Sequence, residues 1–248
     1  PDEGFSGLVI KISFGGMKFL EAEQTIEAGA GVLLGNLIKK AVSKGWAGLE
    51  TLSGIPGTVG GAVYGNAGAY GQAVSGAIKS VEFFDVQKNE FGFLKNEECG
   101  FRYRHSIFKE RIFFILNVTL QFQDGDKKAL KAKSREIIKV REKKYRPGLK
   151  CPGSFFKNVL VSEVETGVLE RISQSKIIEG KIPTGYLLEE VGARGMREGG
   201  IYIADFHGNL FVNDGKGTAR DVKRLAEILK KKVFEKFGIE LEEEVRYF

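Results

Sequence analysis

Hydrophobic side chains recur every three or four residues in four stretches of the chain, the spacing that lines one face of an α-helix. The clearest stretch lies near the end of the chain, where Thr218 and Asp221 form a predicted capping box and Gly238 follows as a C-terminal cap. Gly45 and Gly192 are expected to end two of the other helices. The apolar positions are Leu34, Leu37, Ile38 and Ala41; Val164, Val168, Leu169 and Ile172; Tyr186 to Val191; and Val222, Leu225, Ala226, Leu229, Val233 and Phe237.

Apolar and polar residues alternate elsewhere, which is the pattern of a strand with one buried face. The alternation is clearest over 116–122. Further strands are predicted over 8–13, 79–86, 201–204, 210–213 and 241–248. Because strands and helices do not alternate regularly, we expect an α+β fold of two lobes joined near residues 125–150.

Residues 127–150 are strongly basic, with eleven Lys or Arg against two Glu. This segment favours a solvated helix that links two domains, and it also fits a face that steers phosphate groups; the two interpretations are compatible. A helical stripe runs through it at Leu130, Ser134, Ile137, Ile138, Arg141 and Tyr145.

The composition narrows the class of protein. The chain has 248 residues, 42% of them hydrophobic, and no apolar run reaches the roughly 18 residues of a membrane span. Two cysteines favour a reducing cytoplasm over a disulfide framework, and two histidines without metal-binding spacing argue against a metal site. The net charge of +6 suits an anionic small ligand and is too low to require nucleic acid. Because the chain begins with Pro1 instead of Met, we expect an upstream segment.

Glycine is enriched to 33 residues, and eight of them lie between Gly54 and Gly76. The segment is neither a G-x-G-x-x-G motif nor a Walker A loop. Its spacing removes side chains at almost every third position, so that backbone N–H groups can approach a ligand, with Thr58 and Asn66 supplying polar side chains. A tightly packed loop crossing and a dinucleotide or flavin cradle both fit this pattern.

The glycine-rich segment resembles the FAD-binding stretch of the UDP-N-acetylenolpyruvoylglucosamine reductase (MurB) family. The resemblance rests on 54–62 and 66–71, and it continues in the same order through 103–108, 153–158, 186–188, 200–213 and 244–246. It implies an FAD-binding domain of the vanillyl-alcohol-oxidase/PCMH type over 1–125, incomplete at its N-terminus, where the pyrophosphate-cradling loop of the family would precede Pro1. A basic helical linker over 126–148 and a C-terminal α+β substrate-binding domain over 149–248 would follow.

The resemblance also implies an activity. Members of the family use NADPH and FAD to reduce UDP-N-acetylglucosamine enolpyruvate to UDP-N-acetylmuramate, a precursor of peptidoglycan. A cytoplasmic monomer without metal, nucleic-acid or membrane partners is expected. The FAD-binding residues would be Gly54, Ile55, Pro56, Gly57, Thr58, Gly60, Gly61, Asn66, Gly68, Ala69 and Tyr70.

Three residues of the matching motifs would act on the enolpyruvyl group. Arg104 would stabilise the negative charge that develops on its carboxylate, and Ser154 would donate a proton to C2, helped by a nearby Lys157. Glu244 would either pair with Arg104 or assist proton delivery. The predicted substrate-binding residues are Tyr103, Lys157, Asn158 and His207.

Two other classes of protein also fit parts of the sequence. A different flavin oxidoreductase of the same FAD-binding superfamily would share the glycine cradle but lack the combination of Tyr103-Arg104, Ser154 and Glu244. A non-catalytic UDP-sugar-binding module would keep Lys157, Asn158 and His207 and bind no flavin. A nucleic-acid binder is supported only by the basic helix, since no aromatic residues interleave with its cations.

Overall fold

The computed structural model describes residues 2–146 and 148–247, which divide into two compact units. The first unit is Val9–Lys143. The second unit is formed by the described residues from Lys144 onward together with residues 2–8. The division falls inside the predicted linker of 126–148, at the end of its helix.

Helices and strands are short in both units, apart from two long helices. The helices are α1 (Leu34–Lys44), α2 (Val59–Tyr64), α3 (Lys127–Lys144), α4 (Thr166–Leu169), α5 (Thr184–Glu190) and α6 (Ala219–Phe237). The strands are β1 (Met17–Leu20), β2 (Thr25–Gly29), β3 (Trp46–Ala47), β4 (Gly68–Ala69), β5 (Gln72–Ala73), β6 (Ile78–Asp85), β7 (Glu90–Lys95), β8 (Phe113–Gln121), β9 (Gln123–Asp124), β10 (Val159–Leu160), β11 (Lys181–Ile182), β12 (Arg197–Glu198), β13 (Ile201–Ile203) and β14 (Phe211–Asn213).

The first unit is built on a five-stranded antiparallel sheet in the order β1-β2-β8-β6-β7. Alternate residues of its central strands point into the core, where Ile26 pairs with Leu120 and Val81 pairs with Val118. α1 and α2 pack in the same core, and α1 leaves its polar face in water. The glycine-rich segment contributes α2 and the turns on either side of it.

The second unit has a smaller sheet, β12-β13-β14, which packs with α6. Its core contains Phe155 and Phe211, whose rings stack with centroids 3.8 Å apart, and Leu229 from α6. A separate hairpin pairs β10 with β11. Asn209 is buried beside this core. Its side-chain oxygen accepts a hydrogen bond of 2.9 Å from the Phe156 N–H, and its side-chain NH₂ donates one of 2.8 Å to the Phe156 carbonyl oxygen.

Most predicted elements are confirmed. α1 ends at Gly45 in the left-handed conformation, and α6 begins with the capping box of Thr218 and Asp221 and ends at Gly238. The strands predicted over 79–86, 116–122, 201–204 and 210–213 correspond to β6, β8, β13 and β14. α5 lies where a helix before Gly192 was expected, although it stops at Glu190.

Two predicted strands are wrong. Residues 8–13 form no strand, and Leu8, Val9 and Ile10 are exposed, because no segment among the described residues pairs with them in a hydrogen-bonded ladder. The described part of 241–248 is not a strand either. It makes a single bridge, between Glu243 and Phe156.

Two predicted helices are shorter than expected. α3 ends at Lys144 instead of continuing to residue 150, since the sequence places a proline at 147 and a residue that precedes proline avoids the helical conformation. The stripe from Val164 to Ile172 yields only the four-residue α4. Gly167 lies inside that stripe and weakens helix formation.

Candidate active site

The first part of the glycine-rich segment is an exposed loop. Gly54 and Gly57 adopt left-handed φ angles of 79° and 108°, which favour glycine. A Cβ atom built on Gly57 would meet no atom within 4 Å, so the space beside this backbone is open. Gly54 lies against the Arg141 side chain of α3, and the Ser53 and Ser134 hydroxyls lie 2.8 Å apart. The helical stripe of α3 therefore supports the start of the loop.

The middle of the segment is tightly packed. A Cβ atom on Gly60 would lie 2.8 Å from the Ala30 Cβ, so only glycine fits against the end of β2. The Thr58 hydroxyl accepts a hydrogen bond of 3.2 Å from the Gly61 N–H and caps α2. Close packing is thus observed at Gly60, whereas residues 54–57 form an open loop.

The remaining predicted FAD-binding residues lie around these parts. Ile55 is half-buried and packs on the core of the first unit, whereas Pro56 is exposed. The Ala69 carbonyl oxygen accepts a hydrogen bond of 3.0 Å from the Thr51 hydroxyl. Tyr70 is 46% exposed, with a left-handed φ of 50°, and presents an aromatic ring to solvent.

The end of the segment holds the turn that carries Arg104. The buried Asn66 side chain donates to the Arg102 carbonyl oxygen at 3.0 Å and accepts from the Ser75 N–H at 3.3 Å. The Arg104 guanidinium donates to the Gly68 carbonyl oxygen at 3.1 Å. Two of the predicted FAD-binding residues are therefore brought together with the predicted catalytic arginine.

The turn itself is tight and puts Arg104 in an unusual conformation. Arg102 and His105 exchange backbone hydrogen bonds of 3.0 and 3.2 Å, which leaves Tyr103 and Arg104 at the tip. Arg104 has a φ of 54°, and its guanidinium lies 5.2 Å from the centroid of the Tyr103 ring. Left-handed non-glycine residues concentrate at functional sites, where the surrounding structure holds them in place. The Arg102 side chain, by contrast, forms an exposed ion pair with Glu110.

In the second unit, Ser154 and Glu244 lie on neighbouring segments. The Glu244 N–H donates to the Phe155 carbonyl oxygen at 2.8 Å, and the Phe155 N–H donates to the Asn209 carbonyl oxygen at 3.0 Å. Ser154 also forms an isolated bridge with Leu210. The segment that carries Ser154 is thus held between the residues around Asn209 and the chain end that carries Glu244.

A tyrosine that sequence reasoning did not assign to the site faces Ser154. The Tyr145 hydroxyl lies 3.3 Å from the Ser154 Oγ, and either oxygen can donate. The only signal in the sequence was its position as the last member of the α3 stripe. Nothing in that pattern indicates which residue the hydroxyl meets.

Lys157 and Asn158 are engaged by the protein itself. The Lys157 ammonium pairs with Glu242 instead of acting on the Ser154 hydroxyl, the role expected of it from sequence. The Lys157 carbonyl oxygen accepts from the Thr184 hydroxyl, and the Asn158 side chain accepts from the Thr184 N–H at 3.2 Å. Both residues therefore hold the start of α5.

His207 is a neutral, partly buried imidazole. Its Nδ1 accepts a hydrogen bond of 3.0 Å from the Asn209 N–H, so the proton of the neutral ring belongs to Nε2. Burial, and then the positive charge of Lys144, lower its pKa from 6.5 to about 4. Its ring packs over Gly185, where a Cβ atom would lie 3.1 Å from Cε1.

A cavity of about 310 Å³ lies in the second unit beside the segments of Ser154 and Glu244. Phe155 and Val245, their sequence neighbours, line it. Lys150, Lys223 and Arg246 add three positive charges to otherwise largely apolar walls. Lys150 is the last residue of the basic segment 127–150, whereas Lys223 carried no motif and was not singled out from sequence.

Residues 2–146 and 148–247 lack two further features, a metal-ligand cluster and a membrane-spanning helix. This part of the chain has no group of three or more His, Cys, Asp or Glu that could hold a metal ion. It also has no helix that is both long and apolar enough to cross a membrane.

Comparison with known proteins identifies the family. Residues 145–248 match the UDP-N-acetylenolpyruvoylglucosamine reductase C-terminal domain, and residues 2–86 match an FAD binding domain. The reductase of Solibacter usitatus is 45% identical over 99% of this chain and 78% of its own length. The chain belongs to the UDP-N-acetylenolpyruvoylglucosamine reductase (MurB) family. The reductase of Carboxydothermus hydrogenoformans is 36% identical, over 97% of this chain and 72% of its own.

The fold of the family is also shared. The crystal structure of the MurB enzyme from Thermus caldophilus superposes with a TM-score of 0.68 at 32% identity, covering 89% of this chain and 71% of that one. Membership confirms the predicted α+β architecture of an FAD-binding domain followed by a MurB C-terminal domain. It also confirms an oxidoreductase of peptidoglycan precursor synthesis that uses FAD and NADPH.

Proposed function

We propose that this chain reduces the enolpyruvyl ether of UDP-N-acetylglucosamine enolpyruvate to the lactyl ether of UDP-N-acetylmuramate, with Ser154 as the proton donor. The observation that carries the proposal is the hydrogen bond from the Glu244 N–H to the Phe155 carbonyl oxygen. It places a hydroxyl and a carboxylate residue, far apart in sequence, on adjoining segments of one unit. Such a pair suits the delivery of a proton to a carbon centre.

The glycine-rich segment fits FAD. An exposed loop with open space beside Gly57 lets a flat or phosphorylated ligand approach the backbone, and Tyr70 offers an exposed aromatic ring. When bound, FAD carries hydride equivalents from NADPH to the substrate. The residues that would hold it are Gly54, Ile55, Pro56, Gly57, Thr58, Gly60, Gly61, Asn66, Gly68, Ala69 and Tyr70.

Arg104 is the proposed electrostatic stabiliser. Its guanidinium is permanently charged and can bind a carboxylate with two parallel hydrogen bonds. The contact with the Gly68 carbonyl oxygen uses Nη1 and holds the side chain in one orientation. A preoriented cation of this kind stabilises charge that develops during the reaction more than charge already present in the substrate.

Ser154 would deliver its hydroxyl proton to C2 of the enolpyruvyl group. Glu244 then assists proton delivery, since its segment adjoins that of Ser154. Tyr103, Lys157, Asn158 and His207 are the proposed substrate contacts, with His207 acting as a neutral hydrogen-bonding group. The cations of the 310 Å³ cavity, Lys150, Lys223 and Arg246, suit the diphosphate of a nucleotide sugar. We propose that the enzyme works as a monomer in the cytoplasm.

The test of Ser154 separates the two halves of the reaction in the flavin-loaded enzyme. Ser154→Ala should leave NADPH-dependent bleaching of the flavin absorbance near the wild-type rate. Recovery of that absorbance on adding the enolpyruvyl substrate should slow by about 10²–10⁴-fold, the contribution of a positioned general acid. Ser162→Ala, at an exposed serine of the same unit, is the control. If the recovery rate of Ser154→Ala stays within about threefold of wild type, the slowing is far smaller than a general acid contributes, and Ser154 is excluded as the proton donor.

A further inference from the structure

We infer that Tyr145 positions the Ser154 hydroxyl and returns a proton to it after each turnover. The inference rests on the proposed role of Ser154 as proton donor. The two hydroxyl oxygens lie 3.3 Å apart, within reach of a hydrogen bond. Tyr145 directly follows α3, and Ser154 follows the left-handed Gly153.

The Tyr145 ring is held in place by the same residues that hold Ser154. It packs, half-buried, against the small cluster of Ala204, Leu210 and Val212. Leu210 is fully buried and is also the bridge partner of Ser154. Because Leu210 belongs to the cluster under the Tyr145 ring and also pairs with the backbone of Ser154, the two residues are held by the same packed structure.

The surroundings of the pair are cationic. The Lys144 ammonium lies 5.2 Å from the centroid of the Tyr145 ring. The same positive charge lowers the pKa of the His207 imidazole, in addition to the larger effect of burial. A positive charge beside two hydroxyls favours the transient negative charge that a proton transfer between them creates.

Ser154 needs such a partner because it carries a single proton. When the Ser154 O–H bond breaks and its proton forms the new C–H bond at C2, the serine oxygen is left as an alkoxide. The Tyr145 O–H bond then breaks, and its proton forms a new O–H bond on Ser154. The tyrosine oxygen then takes a proton from a water molecule and leaves hydroxide in the solvent, so the relay consumes one solvent proton per turnover and needs no oxidant or reductant of its own.

Two polar side chains of the proposed substrate site make their printed contacts with residues other than Ser154. The Lys157 ammonium pairs with Glu242, and the His207 Nδ1 accepts from the Asn209 N–H. The hydroxyl of Tyr145 is the group that the described structure places against the Ser154 Oγ. A phenol can accept a hydrogen bond from the serine O–H before the reaction and donate its own proton to the serine oxygen afterwards.

The first test needs no flavin. In protein labelled with ¹³C at the tyrosine Cζ, Ser154→Ala should shift the Tyr145 resonance, because it removes the hydrogen-bond partner of that hydroxyl. The Tyr202 resonance is the internal control, since Tyr202 packs on the same cluster. If the ¹³Cζ chemical shift of Tyr145 is the same in Ser154→Ala as in wild type, the inference is overturned, whatever the activity of the variant.

The second test uses the flavin-loaded enzyme and Tyr145→Phe, which keeps the ring and removes only the hydroxyl. Substrate-dependent recovery of the flavin absorbance should slow by about tenfold or more, and less than for Ser154→Ala, because water can replace the relay but not the donor. The NADPH-dependent step should be unchanged. In mixtures of H₂O and D₂O, the recovery rate of the wild type should depend on the deuterium fraction along a curve, because two protons move. The recovery rate of the variant should depend on it linearly, because one proton moves.

Tyr202→Phe is the matched control, and both variants should unfold at the wild-type temperature. Recovery by Tyr145→Phe at the wild-type rate, with a curved deuterium dependence, would overturn the relay while leaving the role of Ser154 intact. A fast Ser154→Ala would instead overturn the proposed proton donor itself, and the inference with it.

Discussion

The side-chain amide of Asn66 donates a hydrogen bond of 3.0 Å to the carbonyl oxygen of Arg102. It links the glycine-rich segment to the turn that holds Tyr103 and Arg104. Asn66 is buried, and its own left-handed φ of 42° is one that asparagine tolerates better than most residues. The residue thus connects a proposed cofactor segment with a proposed catalytic arginine through a contact that neither motif indicates.

Asn66→Ala should therefore destabilise the protein and lower its turnover. Loss of the amide leaves the Arg102 carbonyl oxygen and the Ser75 N–H without their partner, which costs about 1–3 kcal/mol for a buried polar group. Urea unfolding measures the loss. Asn36→Ala, at an exposed asparagine of α1, should change the free energy of unfolding by less than about 0.5 kcal/mol. Equal effects of the two substitutions would contradict this account of the turn.

Arg104→Lys should depress turnover more than substrate affinity. Lysine keeps the charge but cannot bind a carboxylate with two parallel hydrogen bonds, so the loss falls where negative charge grows. We expect kcat to fall by about tenfold or more, short of the 10²–10³ that follow complete removal of such a donor. Steady-state kinetics give the kcat and KM of the variant. Arg102→Lys, at the same turn, is the control, and a change confined to KM would assign Arg104 to ground-state binding.

His207 should make the protein less stable as the pH falls. Its pKa is about 4 in the folded protein against 6.5 ordinarily. Between pH 4 and pH 6.5 the imidazole is therefore protonated in the unfolded chain but not in the folded protein. The free energy of unfolding should decline as pH falls from about 6.5 and level off, for this residue, below about 4. His207→Gln should flatten that part of the curve, measured by urea unfolding across pH. His105→Gln is the control, and an unchanged slope in His207→Gln would refute the assignment.

Two neighbouring glycines should respond to alanine with opposite signs. Gly60→Ala forces a Cβ atom to within 2.8 Å of the Ala30 Cβ and should destabilise the first unit by about 1–3 kcal/mol. Gly61→Ala meets only the Thr58 hydroxyl, at 3.5 Å, and should leave stability unchanged or raise it by up to about 1 kcal/mol, because alanine favours the helix. Urea unfolding of both variants decides the matter. A Gly60→Ala variant as stable as wild type would contradict this prediction and would mean that the backbone at Ala30, just after β2, moves to make room for the new Cβ atom.

The sequence by itself determined the features whose energetics are local. The apolar stripes and caps of α1 and α6 report which residues can be buried on one face and which can end a helix, and both helices formed as predicted. The motifs likewise indicated the family before any contact was known. They did so because several short motifs follow one another along the chain in the same order as in that family.

Tertiary structure decided the features that depend on a distant partner. An alternating pattern over 8–13 cannot form a strand without a neighbouring strand, and no local signal reveals that neighbour. The pairing of Lys157 with Glu242 and the approach of Tyr145 to Ser154 depend in the same way on chain segments that meet only after folding. Hydrogen bonds and ion pairs act only over a few ångströms. A side chain therefore gains such a partner only when folding brings a segment that is distant in sequence beside it, and the sequence pattern does not show which segment that is.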